Sequence, residues 1–186
     1  GDLTAAMLME STVNIDVVGI YTTEYSVSDK AGNTVKGSRT VQVVDRVNPE
    51  IKLVGQLELV IEAGQLFNEP GAIAEDTLDG NLTAMVIASG TVDPFKPGVY
   101  EIVYNVTDNA GNTAAEQVRK VVVQDTTGPV VELLGEAVMS QEAGVAYIEP
   151  GYQANDIVDG DVTSLVQLQG EVDVKKLGSY LLQYQV

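Results

Sequence analysis

The sequence predicts an all-β chain built as tandem antiparallel β-sandwiches. Three observations carry the prediction. Landmark residues recur about every 80 positions, apolar residues within a repeat are spaced by two rather than 3.6, and turn-forming pairs punctuate the chain every dozen residues or so.

The recurrence comes first, because a missed period miscalls the whole fold. Asp79-Gly80-Asn81-Leu82-Thr83 returns as Asp159-Gly160-Asp161-Val162-Thr163, and its tail is Gly1-Asp2-Leu3-Thr4. The glycines at 1, 80 and 160 are therefore 79 and 80 apart. Glu62-Ala63-Gly64 matches Glu142-Ala143-Gly144, and Glu69-Pro70-Gly71 matches Glu149-Pro150-Gly151. Gly98-Val99-Tyr100 aligns with Gly19-Ile20-Tyr21 and Gly178-Ser179-Tyr180, while Tyr104 aligns with Tyr25 and Tyr184. Asp108-Asn109-Ala110-Gly111-Asn112 matches Asp29-Lys30-Ala31-Gly32-Asn33.

This spacing divides the chain into residues 1–45, the C-terminal part of one repeat, and 46–125, a complete repeat. Residues 126–186 form a third that lacks its last strand, and the opening Gly1-Asp2-Leu3-Thr4 reads as the interior of a repeat. The junctions Asp45-Arg46-Val47-Asn48-Pro49 and Asp125-Thr126-Thr127-Gly128-Pro129 are short. With no Gly/Ser-rich stretch they predict stiff joints.

Each strand follows from the alternation. Tyr100, Ile102, Tyr104 and Val106 share one face, read as buried, against Val99, Glu101, Val103 and Asn105. Val118 to Gln124 alternate in the strand after it, and shorter runs at 51–53, 57–61, 72–74 and 84–88 complete the set. Ala110-Gly111-Asn112 joins two strands as a hairpin, its Gly and Asn suited to positive φ. Tyr104 is placed either as a tyrosine corner or as an ordinary core tyrosine with its hydroxyl at the rim. No segment has a helical period.

Composition narrows the function. The chain has 27 acidic and 10 basic residues, for a net charge of −17, and no His, Cys or Trp. Such a surface repels a phosphate backbone, so nucleic acid is not an expected partner, and an anionic membrane surface is disfavoured likewise. No apolar run is long enough for a membrane-spanning helix. Without His or Cys, the usual nucleophile–base pairs and imidazole or thiolate metal sites are excluded. Carboxylate-pair chemistry remains, for example Glu62 with Glu69. Both recur as Glu142 and Glu149, which reads as a framework device and not an active site. No enzyme is expected.

The landmark series Glu-Ala-Gly, Glu-Pro-Gly, Asp-x-x-Asp-Gly-(Asp/Asn)-x-Thr, Gly-x-Tyr-x-(Ile/Leu)-x-Tyr and Thr-Asp-x-Ala-Gly-Asn resembles the bacterial immunoglobulin-like repeats related to the hyalin-repeat group. The full series lies in 46–125, and the flanking segments carry parts of it. The resemblance implies immunoglobulin-like sandwiches and an extracellular or cell-surface setting, as adhesin stalks or as modules beside secreted hydrolases.

Two constellations stand out. Asp76, Asp79 and Asn81, with their counterparts Asp156, Asp159 and Asp161, gather hard oxygen ligands around a Gly turn, as Ca²⁺ prefers. The competing reading is structural: Asp79 and Asp159 set the turn while Asp76 and Asp156 cap backbone amides. Asp45 and Asp125, at the ends of strands beside the junctions, are further candidates for a cation that stiffens a joint. Asp29 and Asp108 read as hairpin-turn residues. Phe95, whose counterparts are Asp16 and Lys175, is no repeat device and is a candidate ligand contact.

The sequence thus favours a spacer or stalk whose partners are its own neighbouring repeats. Two alternatives stay open: a module that binds carbohydrate or protein beside a secreted enzyme, and a subunit of a filament joined by strand exchange at exposed edges.

Overall fold

A computed structural model describes residues 1–186. The strands in chain order are β1 (Leu8–Ser11), β2 (Gly19–Ser28), β3 (Thr34–Val43), β4 (Glu50–Leu53) and β5 (Glu58–Glu62). They continue with β6 (Ala72–Asp76), β7 (Gly80–Asn81), β8 (Ile87–Ser89), β9 (Gly98–Asn105) and β10 (Gln117–Gln124). The last five are β11 (Val130–Leu133), β12 (Tyr152–Asp156), β13 (Gly160–Asp161), β14 (Gln167–Gln169) and β15 (Gln183–Gln185). The only helical pieces are single 3-10 turns at Thr4–Ala6, Thr83–Met85 and Thr163–Leu165. The chain is all-β, as the period of two predicts, and its sheets accord with the tandem immunoglobulin-like sandwiches that the resemblance implies.

Sheets run in the orders β1–β2–β3, β4–β6–β7, β5–β10–β9–β8, β11–β12–β13 and β14–β15. Pairing is antiparallel within β1–β2–β3, β4–β6–β7, β8–β9, β11–β12–β13 and β14–β15, whereas Glu58 to Glu62 of β5 run parallel to Lys120 to Gln124 of β10. A parallel pair needs a long connection, and the residues between these two strands supply it. In the third repeat, residues 138–142, the counterpart of β5, form no strand. They line an open trough of about 670 Å³ with Leu177, Leu181 and Tyr184.

The chain divides into two compact units, one made of 1–55, 70–89 and 103–117, the other of 56–69, 90–102 and 118–186. The first buries Ile51, Ala74, Leu82, Tyr104, Val106 and Ala114. The second buries Ala63, Ile102, Val121, Val123, Ala154 and Val162, and with them the whole of Arg119. Of the four residues expected on the inner face of β9 and its extension, Ile102, Tyr104 and Val106 are buried and Tyr100 is half-buried.

Three local devices recur. A tyrosine hydroxyl donates to a backbone carbonyl four residues upstream, Tyr21 to Val17, Tyr100 to Lys96 and Tyr180 to Lys176, each at 2.8 Å. The corner is thus built on the first tyrosine of Gly-x-Tyr, whereas Tyr104 sits inside the core. In the hairpin turn only Gly32 and Gly111 take positive φ, at 89° and 92°. The asparagine expected to share that role instead binds the aspartate that opens the turn: Asn112 donates its backbone N–H and its amide to Asp108 at 2.7 and 2.8 Å. The run expected as a strand at 84–88 opens as a 3-10 turn. There Thr83 Oγ1 accepts from the Ala74 N–H at 3.1 Å, and Leu82 is buried beneath it.

Candidate metal centre

β6 ends at Asp76, and the chain must reverse within four residues to begin β7. Asp76 Oδ1 organises that reversal by accepting the N–H groups of Leu78 at 2.7 Å and Asp79 at 3.0 Å. Gly80, at φ 72°, supplies the left-handed step. The same loop is rebuilt in the third repeat, where Asp156 Oδ1 accepts from Val158 at 2.7 Å and Asp159 at 2.9 Å. The backbone N–H of Asp79 holds the Asp76 carboxyl below the ordinary carboxylate range, with Leu78 adding to it, and Asp156 is lowered by Asp159 and Val158 in turn.

The structural reading of this loop therefore holds for Asp76 and Asp156, but it accounts for only one oxygen of each. Asp79 turns outward from its own loop to the hairpin after β9, where both its oxygens accept from Asn109, each at 2.8 Å. That contact draws the hairpin turn, and with it Asp108, against the β6–β7 loop. Asp45, two residues past β3, completes the group and accepts the Val47 N–H on Oδ1 at 3.0 Å.

Asp45, Asp76, Asp79 and Asp108 consequently each place a carboxylate oxygen within 4.8 Å of the others. Asp76 is 9% exposed and Asp108 5%. Asp76 Oδ2 and Asp45 Oδ2 are buried and accept no hydrogen bond. No lysine or arginine makes an ion pair with these carboxylates; the ion pairs join Lys52 to Glu50, Arg119 to Glu69 and Lys120 to Glu58. Four like charges so close repel one another, and an unsatisfied buried anionic oxygen adds a desolvation cost.

The remaining candidates fall elsewhere. Asn81 Oδ1 and Asp161 Oδ1 each accept from the threonine two residues on, Thr83 and Thr163, at 2.9 Å. Both thus close a local turn onto the first residue of the following 3-10 turn. Asp125, Asp156 and Asp159 form no cluster of the kind Asp45, Asp76 and Asp79 make. Asp108, read from sequence as a turn residue, fills that role and also joins the cluster. Only the long-range Asp79–Asn109 contact could have revealed it. Phe95 is 57% exposed in the turn before β9.

The two glutamates weighed for carboxylate chemistry are engaged in holding the fold. Glu62 accepts from the Thr126 N–H at 2.6 Å, the Thr126 hydroxyl at 2.9 Å and the Thr127 hydroxyl at 3.2 Å, tying the second junction to β5. Glu69 meets Arg119 Nε at 2.7 Å.

A family model described as bacterial surface protein, Ig-like domain, matches residues 1–43, 51–123 and 131–186. The chain belongs to this family. Curated relatives of this bacterial surface Ig-like chain include the pesticidal crystal protein Cry22Aa of Bacillus thuringiensis, 28% identical over 196 residues that cover all of the chain and 26% of that protein. An 81.3 kDa protein of Acholeplasma phage L2 is 32% identical over 84% of the chain and 22% of its own length. Hyalin of Strongylocentrotus purpuratus is 31% identical over 68% of the chain and 11% of its own length. The chain therefore spans about a quarter or less of each of these relatives. Among solved structures, a lipoprotein of Bacteroides thetaiotaomicron is 34% identical over 43% of this chain and 39% of its own, with a TM-score of 0.39. A Clostridium perfringens ZmpB structure with CBM51-2, GlcNAc and INT domains is 28% identical over 52% of this chain and 21% of its own, with a TM-score of 0.36. Membership makes the chain a surface-protein module, and no helix in it is long and apolar enough to cross a membrane.

Proposed function

We propose that the chain is a run of non-catalytic spacer modules in an extracellular or cell-surface protein, holding other domains at a set distance from their anchorage. One observation carries the reading: the recurring polar side chains are spent on backbone and neighbouring framework groups. Asp76 and Asp156 cap their loops, Tyr21, Tyr100 and Tyr180 clasp the preceding turns, and Asn81 and Asp161 bind the backbone N–H two residues on. A recognition site needs convergent polar groups left over for a ligand. Repetition of framework devices yields instead a chain whose length grows with the number of modules.

The binding-module reading rests on Phe95, which is exposed and occupies a position that the other repeats fill with Asp16 and Lys175. Two measurements separate the readings. On a glycan array the 186-residue chain gives no signal above background; reproducible binding that Phe95→Ala abolishes would replace the spacer reading. In small-angle scattering, a chain carrying a second copy of residues 46–125 gains a fixed increment in maximum dimension, and the absence of any increment would also overturn it.

A further inference from the structure

We propose that Asp45, Asp76, Asp79 and Asp108 form a calcium site that fastens the first junction to the β6–β7 loop and the hairpin turn after β9. The site goes beyond the spacer reading and does not depend on it.

The first argument is donor accounting. Each carboxylate oxygen has two lone pairs to fill. The Asp79 oxygens take one donor each from Asn109, and those of Asp108 take one each from Asn112. Asp76 Oδ1 takes two N–H groups, and Asp45 Oδ1 takes one. That leaves Asp76 Oδ2 and Asp45 Oδ2, both buried and both without a donor. They belong to two carboxyls of one cluster, and Asp76 is nine-tenths buried. A cation answers both deficits together.

The second argument is the chemistry of the set. All four ligands are hard oxygens, which select Ca²⁺ or Mg²⁺ over softer metals. A ceiling of 4.8 Å between ligand atoms is about twice a Ca–O distance of roughly 2.4 Å, so no two of the four lie too far apart to share one ion. Mg²⁺ demands a tighter octahedron and keeps most of its water. Ca²⁺ accepts irregular, partly carboxylate shells, and is the ion this site fits.

The third argument is position. The ligands come from three separate stretches: the junction after β3, the loop after β6 and the turn after β9. An ion common to them removes freedom that no direct hydrogen bond between Asp45 and the other two stretches restrains. Because Asp125, Asp156 and Asp159 form no equivalent group, the chain should bind one ion.

The test is Ca²⁺ titration of the 186-residue chain after dialysis against chelator, read by calorimetry and by unfolding. One ion per chain is expected, with a Kd on the order of 10⁻⁴ to 10⁻³ M, as in extracellular modules. At about ten times Kd the folded-to-unfolded ratio should rise about elevenfold, and chelator should reverse the gain. Asp45→Asn retains an Oδ1 acceptor for the Val47 N–H, so its fold is preserved; it should weaken binding by at least about tenfold. Asp156→Asn should bind as the parent does. Asp76→Asn likewise retains an Oδ1 acceptor for the Leu78 and Asp79 N–H groups and should weaken binding as Asp45→Asn does. No heat and no stabilisation at about 10 mM Ca²⁺ would overturn the site. So would binding that survives in both Asp45→Asn and Asp76→Asn, or Mg²⁺ binding more tightly than Ca²⁺. None of these results touches the glycan or scattering outcomes that decide the spacer reading.

Discussion

The Glu-Pro-Gly motif appears in the second and third repeats with the same sequence and different partners. In the second, Glu69 meets the fully buried Arg119 at 2.7 Å, and Arg119 also donates to the Gln56 carbonyl. In the third, Glu149 accepts from the Tyr147 hydroxyl at 2.6 Å and from the Gly151 N–H at 3.2 Å. Residue 67, the counterpart of Tyr147, is Phe and has no hydroxyl to offer. The two glutamates, each at a half-buried turn, thus differ in one partner: a buried guanidinium for Glu69 and the Tyr147 hydroxyl for Glu149. A repeated residue fixes the local geometry; what it does is decided by whatever the rest of the module brings to it.

The largest consequence falls on Arg119. Removing one partner of a buried ion pair strands the other charge, at a cost of about 3 kcal/mol when, as for Glu69 at 24% exposure, some solvent still reaches it. Arg119→Ala should lose that much in chemical denaturation. The double variant Glu69→Gln with Arg119→Met should recover a good part of it, since an apolar replacement of both partners removes the stranded charge. Glu149→Gln keeps an acceptor for Tyr147 and should cost clearly less. Equal losses in Arg119→Ala and Glu149→Gln would erase the distinction between the repeats.

A second contrast is steric. Gly64 and Gly144 occupy matching turns, both at φ 81°, where alanine would carry about 1 kcal/mol of left-handed backbone strain. A Cβ at Gly64 would lie 2.5 Å from Ile157 Cγ1, in the loop that follows β12, whereas one at Gly144 meets nothing within 4 Å. Gly64→Ala should therefore destabilise by about 2 kcal/mol and Gly144→Ala by about 1, overpacking adding to strain only in the first. Ile157→Ala in the Gly64→Ala background should close the gap; if it does not, the extra cost has another origin.

These contrasts show which parts of the structure were legible in the sequence. Strands and turns were, because alternation and Gly-centred turns are local signals: β9 buries Ile102 and Tyr104 as its pattern requires. The loop at Asp76 was legible for the same reason. Arg119 was not, since its alternation with Val118 and Lys120 gives no sign that the charged residue, and not its neighbours, faces inward. Its burial depends on Glu69, fifty residues away in sequence. Asp108 escaped notice as a cluster member because its local role with Asn112 is complete by itself. Only the Asp79–Asn109 contact, spanning 30 residues, carries it to Asp76. The tyrosine corner went to Tyr100 and not Tyr104 for a similar reason. Hydroxyl reach depends on the path of the preceding turn, which no alternation pattern encodes.

An effect confined to high pH reports on the phenols of the third repeat. Tyr184 packs its ring against Tyr152 with centroids 5.0 Å apart. Burial, and then the hydrogen bond to Glu149, push its hydroxyl up to about 12 from 10.0. Tyr147 is raised too, chiefly by its own bond to Glu149. The folded state thus keeps protons on these phenols that the unfolded chain releases, so the unfolded state binds fewer protons above pH 10. By linkage, stability is fully present below that value and falls as pH rises toward about 12. Denaturation midpoints measured across this range should decline more steeply in the parent than in Tyr184→Phe. Glu149→Gln should flatten the decline as well, because it removes the charge that disfavours both phenolates. Only the difference between variants reports on this site. If Tyr184→Phe and the parent decline in parallel, the phenol–carboxylate cluster of the third repeat does not contribute to its stability.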